Sequence, residues 1–199
     1  MLVGITGNLG SGKTLLRRSF ERLGCRTHDA DEIVSEIYRD PKVVAEIVKE
    51  FGPEVVAKGS RSIDRRILSQ IVFGSTVKLK RLNAIIHPLV KACISALPHN
   101  NEIVLVEVPL LFESRMQGLF SKIILVRAPH EVRMKRARNR GFEEEEFEKR
   151  VASQYASDRV EALADFVVDS DCTPTELAGK AVSILAKLKA EHGNAIKGF

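Results

Sequence analysis

Gly7-Asn8-Leu9-Gly10-Ser11-Gly12-Lys13-Thr14 follows the run Leu2-Val3-Gly4-Ile5-Thr6 and leads into Leu15, Leu16, Phe20 and Leu23. The first run is short, apolar and ended by glycine, which predicts a buried strand. The last four residues fall at helical spacing and predict a helix from about Gly12 to Leu23. Between them the octet matches G-x-x-x-x-G-K-[ST], the phosphate-binding loop. Glycines let such a backbone curl so that successive N–H groups point at phosphate oxygens, and the helix that follows adds its positive end. Gly10, Ser11, Gly12, Lys13, Thr14 and Leu15 are therefore the expected nucleotide-binding residues. Lys13 would reach the β- and γ-phosphates, and the Thr14 hydroxyl would ligate magnesium. The competing reading, a glycine turn that only caps a helix, does not call for the strand that precedes the motif. ATP or GTP is the expected ligand.

Working outward, Cys25 to His28 is a weak second strand ending at Asp29-Ala30-Asp31. From Glu32 to Leu97 the pattern is helical, with breaks expected at Pro41, Gly52-Pro53, Gly59, Gly74 and His87-Pro88. That stretch is longer than one crossover helix needs and reads as a helical insertion. Ile103 to Val108, Lys122 to Arg127 and Ala164 to Val168 predict three more strands. A basic helix is expected from Pro129 to Arg140 and a charged one from Glu143 to about Asp158, together a surface arm or lid with few core residues. Thr175 to Glu191 is amphipathic, and the tail beyond it is expected to fray. Strands alternating with helices imply an α/β fold with a mainly parallel five-stranded sheet, covered on both faces.

The 199 residues suit one domain, or one domain with an insertion. With 44% hydrophobic and 29% charged residues, the composition excludes disordered, collagenous and membrane-embedded classes. Lys plus Arg exceeds Asp plus Glu by 31 to 26, a formal +5 that suits anionic partners. The three cysteines, Cys25, Cys93 and Cys172, are far apart and form no C-x-x-C pair, which argues against a disulfide framework or a zinc site. A reducing, cytoplasmic setting is expected, without a membrane span.

Several carboxylates and arginines carry candidate chemistry. Asp31 lies just beyond the second strand, at the sheet edge where open α/β folds bind ligands, and alternation would send it to the same side as Asp29. It could accept the proton of an attacking hydroxyl or merely cap the helix starting near Glu32. Glu107 ends an apolar run, where an acidic residue can serve magnesium or only satisfy a loop. His87 most simply marks a break between two helices. Arg136 and Arg140 share a helix face and could turn one cleft positive.

Taken together, these segments resemble the dephospho-coenzyme A kinase family. The resemblance rests on Gly4-Ile5-Thr6-Gly7 running into the loop, Leu23-Gly24, Asp29-Ala30-Asp31, His87-Pro88-Leu89-Val90, Val108-Pro109-Leu110-Leu111-Phe112-Glu113, Arg150 with Gln154, and Ala164-Asp165. It implies a P-loop NTPase three-layer fold that moves the ATP γ-phosphoryl group to the ribose 3′-hydroxyl of dephospho-coenzyme A, with magnesium. It also implies a nucleotide-binding core (1–31, 98–135 and 160–199), a coenzyme A-binding helical subdomain (32–97) and a lid (136–159). By the same resemblance Asp31 is the base or orienter of the hydroxyl, Thr6 and His87 are substrate contacts, and a lid arginine clamps the phosphates. Arg140 is favoured for that clamp over Arg136 and Arg138. The chain departs from the family pattern at Asn8, Glu107 and Ser170, where glycine, aspartate and asparagine are usual. The rival readings are another small P-loop kinase, separable by its acceptor, and a nucleotide-dependent RNA-binding protein, for which stacked aromatics are missing. ATP and dephospho-coenzyme A are thus the expected partners, with no nucleic acid and an open oligomeric state.

Overall fold

The computed structural model describes residues 1–99 and 102–196. They form two compact units, one of Met1–Asp29 with Pro98–Phe199, the other of Ala30–Leu97.

The first unit is built on a five-stranded sheet ordered β2-β3-β1-β4-β5. Its strands are β1 (Leu2–Thr6), β2 (Arg26–Asp29), β3 (Val104–Glu107), β4 (Lys122–Arg127) and β5 (Phe166–Asp169). Every pairing is parallel. β1 is central, and all five of its residues are buried, the pattern of a strand covered on both faces. On one face Val3, Ile5, Leu105, Ile124 and Val126 pack against Leu16 and Phe20 of α1 (Lys13–Arg22) and against Leu177, Ala181 and Leu188 of α9 (Pro174–Ile196). On the other face Gly4 has no room for a side chain, because a Cβ there would lie 2.8 Å from Leu111. The register aligns Ile5, Glu107 and Asp29 across three strands, so both carboxylates project on the α1 face at the sheet's carboxyl edge. The α/β parallel sheet expected from the sequence is the observed one.

α9 continues to Ile196, so the segment after Glu191 is helical where fraying was expected; residues 197–199 of that tail lie outside the described residues. The charged arm also differs from expectation. Instead of one long helix after Gly141 there are two, α7 (Glu144–Ala152) and α8 (Ser157–Glu161), following α6 (His130–Arg138). The arm has an anchor of its own: Phe147 is 1% exposed and meets His130 edge-on at 5.4 Å. Arg133 lies over the same ring at 5.8 Å, and burial pulls its pKa down against the opposing pull of Glu148. A charge-rich segment thus hides one aromatic and one guanidinium, which a count of core residues along the sequence undervalues.

The second unit is helical: α2 (Ala30–Ile37), α3 (Pro41–Phe51), α4 (Arg65–Val72) and α5 (Thr76–Ser95). Asp40, Asp64 and Ser75 cap α3, α4 and α5 by accepting from backbone N–H groups. The break expected at His87-Pro88 does not occur, and Pro88 sits inside α5. An interior proline costs a helix about 3 kcal/mol. Leu82, Ile86, Val90 and Ile94 form a buried stripe on both sides of it, and their burial outweighs that cost.

Candidate active site

The loop between β1 and α1 owes its shape to its glycines. Gly10 has φ 78°, and a Cβ on it would come within 2.5 Å of the Arg133 carbonyl. A Cβ on Gly7 would come within 2.0 Å of the Val126 carbonyl oxygen. Asn8 does not take up a left-handed angle: Arg115 is the only non-glycine residue with positive φ among those described, so the asparagine replaces a glycine the loop does not need there. Lys13 is buried, and its Nζ donates to the carbonyls of Gly7 (2.7 Å) and Asn8 (3.1 Å). Its ammonium is therefore poised over the upstream end of the loop. At the other end, the φ of 91° at Gly12 turns the chain into α1.

One turn into α1 lies the carboxylate site. Thr14 Oγ1 donates to Glu107 Oε1 at 2.9 Å, and Arg17 Nε donates to Glu107 Oε2 at 3.0 Å. Arg17 also lies 3.8 Å from Asp29. Glu107 is only 4% exposed, and burying a carboxylate so deeply is costly without such donors. Arg17 was not singled out from the sequence, although its place three residues after Thr14 puts both on one helix face. Thr6 is buried at the end of β1 and borders a small polar recess with Gly7, Asn8 and Glu113.

The three candidate arginines have different fates. Arg136 donates to Gly10 O (3.3 Å), Ser170 Oγ (2.8 Å) and Ser170 O (2.6 Å), which locks it onto the loop. Ser170 Oγ in turn donates to Ser11 O, so the serine found where asparagine is usual is part of the loop's support. Arg138 pairs with Glu144. Arg140 is exposed and has no ion pair among the described residues. It lines a cavity of about 290 Å³ with Gly12, Leu15, Arg136, Asn139 and Ser170.

Asp31 and His87 belong to the helical unit. β2 stops at Asp29, so Asp31 neither continues the strand's alternation nor caps a helix: it sits in the first turn of α2. Its carboxylate lies 3.9 Å from Arg65, and the two side chains are 64% and 51% exposed. Arg65 also donates to Ser35 Oγ at 3.0 Å and lies over the Tyr38 ring, a second arginine the sequence reading did not single out. His87 is half-buried in α5, and burial, with Lys91 nearby, holds its imidazole below the ordinary histidine pKa.

A parallel sheet, a glycine loop at the carboxyl end of its central strand, and a lysine and threonine opening the next helix define a P-loop kinase fold. Solved shikimate kinases share that fold: the enzyme from Acinetobacter baumannii, 16% identical, superposes with a TM-score of 0.56 over 94% of each chain. Residues 1–176 match the family model for dephospho-CoA kinase, and the chain belongs to that family. The dephospho-CoA kinase of Chlorobium chlorochromatii is 37% identical over 94% of this chain and 93% of its own. That of Dehalococcoides mccartyi is 36% identical over 96% and 98%. A solved protein from Thermus thermophilus, 32% identical, gives a TM-score of 0.80 over 94% of this chain and 97% of its own. The chain is accordingly an ATP-dependent kinase of the last step of coenzyme A biosynthesis. No helix among the described residues is long and apolar enough to cross a membrane.

Proposed function

We propose that this chain carries out its transfer with Lys13, Thr14, Glu107 and Arg140 on the ATP side and Asp31, Thr6 and His87 on the acceptor side. The observation that carries the reading is the Lys13 ammonium held by two carbonyls of the loop, a cation presented where phosphate oxygens are to be received. The amides of Gly10 to Leu15 take the phosphates, and the cavity beside Gly12 and Leu15 takes the base. Asp31 receives the proton of the ribose 3′-hydroxyl as its oxygen bonds to the γ-phosphorus and the bond to the ADP oxygen breaks. Lys13 and Arg140 hold the charge that gathers on the transferring oxygens and on ADP. Thr6 and His87 contribute contacts to the acceptor.

Magnesium fits the residues present. Thr14 and Glu107 offer hard oxygen donors side by side, and this ion is commonly held by one or two protein oxygens together with phosphates and water. No group of three or more His, Cys, Asp or Glu side chains that could cage a metal occurs among the described residues, so the nucleotide would complete the site. When bound, the ion would neutralise charge on the β- and γ-phosphates. Arg17 occupies the other oxygen of Glu107 and keeps that carboxylate aimed at Thr14. The acceptors are small molecules, the formal +5 serves two polyanionic substrates rather than nucleic acid, and the unpaired cysteines suit the cytoplasm.

The test is ADP release from magnesium-ATP with dephospho-CoA, AMP or shikimate as acceptor, in the parent and in Asp31→Asn. Turnover is expected with dephospho-CoA alone, and the variant should lose roughly 10²- to 10⁴-fold in kcat, the range of general-base catalysis. A variant kcat within a few-fold of the parent would remove Asp31 from the chemistry.

A further inference from the structure

The arm of α6 to α8 rests on the phosphate loop at two places. At its entry, the Arg133 carbonyl closes over Gly10. Further along, between α7 and α8, the Gln154 side-chain oxygen accepts from the backbone N–H of Leu9 at 2.9 Å. The donor is a backbone N–H, so the atom facing it must be the carboxamide oxygen, and the amide nitrogen points elsewhere. That nitrogen, with its two N–H donors, makes no hydrogen bond to protein among the described residues. Gln154 is itself well placed: its own N–H donates to Val151 O at 3.1 Å, and the next N–H, of Tyr155, donates to Glu113 Oε1 at 2.7 Å.

The position of Lys13 identifies which end of the loop this is. A P-loop lysine reaches the β- and γ-phosphates, and here its Nζ lies against Gly7 O and Asn8 O, immediately upstream of Leu9. The Asn8-Leu9 peptide therefore lies at the γ end of the bound triphosphate, and the base cavity beside Gly12 and Leu15 at the other. We infer that Gln154 is a γ-phosphate-binding residue: its oxygen is held by Leu9 N–H, and its amide nitrogen donates to a γ-phosphate oxygen. Through this contact the α7–α8 turn of the arm responds to ATP and not to ADP. The inference rests on reading the loop as the ATP cradle.

Gln154→Glu tests it, since the carboxylate still accepts from Leu9 N–H but can no longer donate and adds a charge that repels phosphate. ATP and ADP affinities are measured without acceptor, beside kcat and thermal stability. The expected result is unchanged stability and ADP affinity, with ATP affinity and kcat each down about 10- to 100-fold, the weight of a hydrogen bond to a charged group. Equal losses for ATP and ADP would overturn the inference, because they would make Gln154 a brace for the loop only. Parent-like ATP affinity and kcat would overturn it too. If Gln154→Glu does not fold, the ATP-to-ADP affinity ratio of Gln154→Met decides in the same way. Failure of the parent to bind ADP would instead strike the reading of the loop itself.

Discussion

Two charged pairs in this protein are made of the same groups and lie in opposite surroundings. Glu107 and Arg17 meet at 3.0 Å with side chains 5% and 12% exposed, under a helix and against a sheet. Asp31 and Arg65 approach only to 3.9 Å, with more than half of each side chain in solvent. The buried pair is finished: both Glu107 oxygens have donors, and Arg17 reaches a second carboxylate. The exposed pair is loose and screened, worth little to the fold. The pair in the sheet unit is thus assembled by folding, while the pair in the helical unit keeps its charges largely in solvent. On the proposed roles, preorganised charge beside the loop favours phosphoryl transfer, and an exposed carboxylate is open to an arriving hydroxyl.

Breaking the buried pair should have the largest effect. Arg17→Met leaves Glu107 buried with one charged donor fewer, and should lower unfolding free energy in urea by about 3 kcal/mol. Adding Glu107→Gln should restore a good part of it, because a neutral amide costs less to bury. The corresponding Arg65→Met is expected to change stability by less than about 1 kcal/mol, and an equal loss in the two variants would end the contrast.

A second test separates the two arginines of α6 and the turn after it. Arg140→Met should lower kcat about 10²-fold and leave the thermal midpoint unchanged, since Arg140 is exposed and unpaired among the described residues. Arg136→Met should lower the midpoint as well, because its bonds to Gly10 and Ser170 join the loop to the chain after β5. If only Arg136→Met lost kcat, the phosphate clamp would be Arg136.

The smallest effect is expected at His87. Its pKa is held down in the folded state by burial and Lys91, so the unfolded chain takes up a proton there first as pH falls. Stability should therefore be complete well above about pH 6.5 and decline as the solution is acidified through that value, until the folded imidazole also protonates. The fall in thermal midpoint between pH 8 and pH 5.5 should be smaller in His87→Asn than in the parent. An identical fall in both would assign the acid sensitivity to other groups.

The octet Gly7 to Thr14 and the apolar runs around it determined the strand, the loop, the helix and the class of ligand, because each is a local pattern with a local cause: glycine freedom, β-branched burial and helical spacing. The short motifs spread along the chain determined the family, which the matches over residues 1–176 bear out. Tertiary structure alone decided how the long side chains are used. Pro88 stays inside a helix because a buried stripe continues on both sides of it, a cost and a compensation that come from different residues. Asp31 lies in the first turn of a helix because β2 ends two residues earlier, a boundary that strand propensity leaves open. Arg136, Arg138 and Arg140 look alike in sequence, and only the positions of Ser170 and Glu144 tell them apart. The partners of Glu107 and Gln154 lie 90 and 145 residues away along the chain, and pairing at that distance is set by how the sheet and its helices pack, which no local pattern encodes.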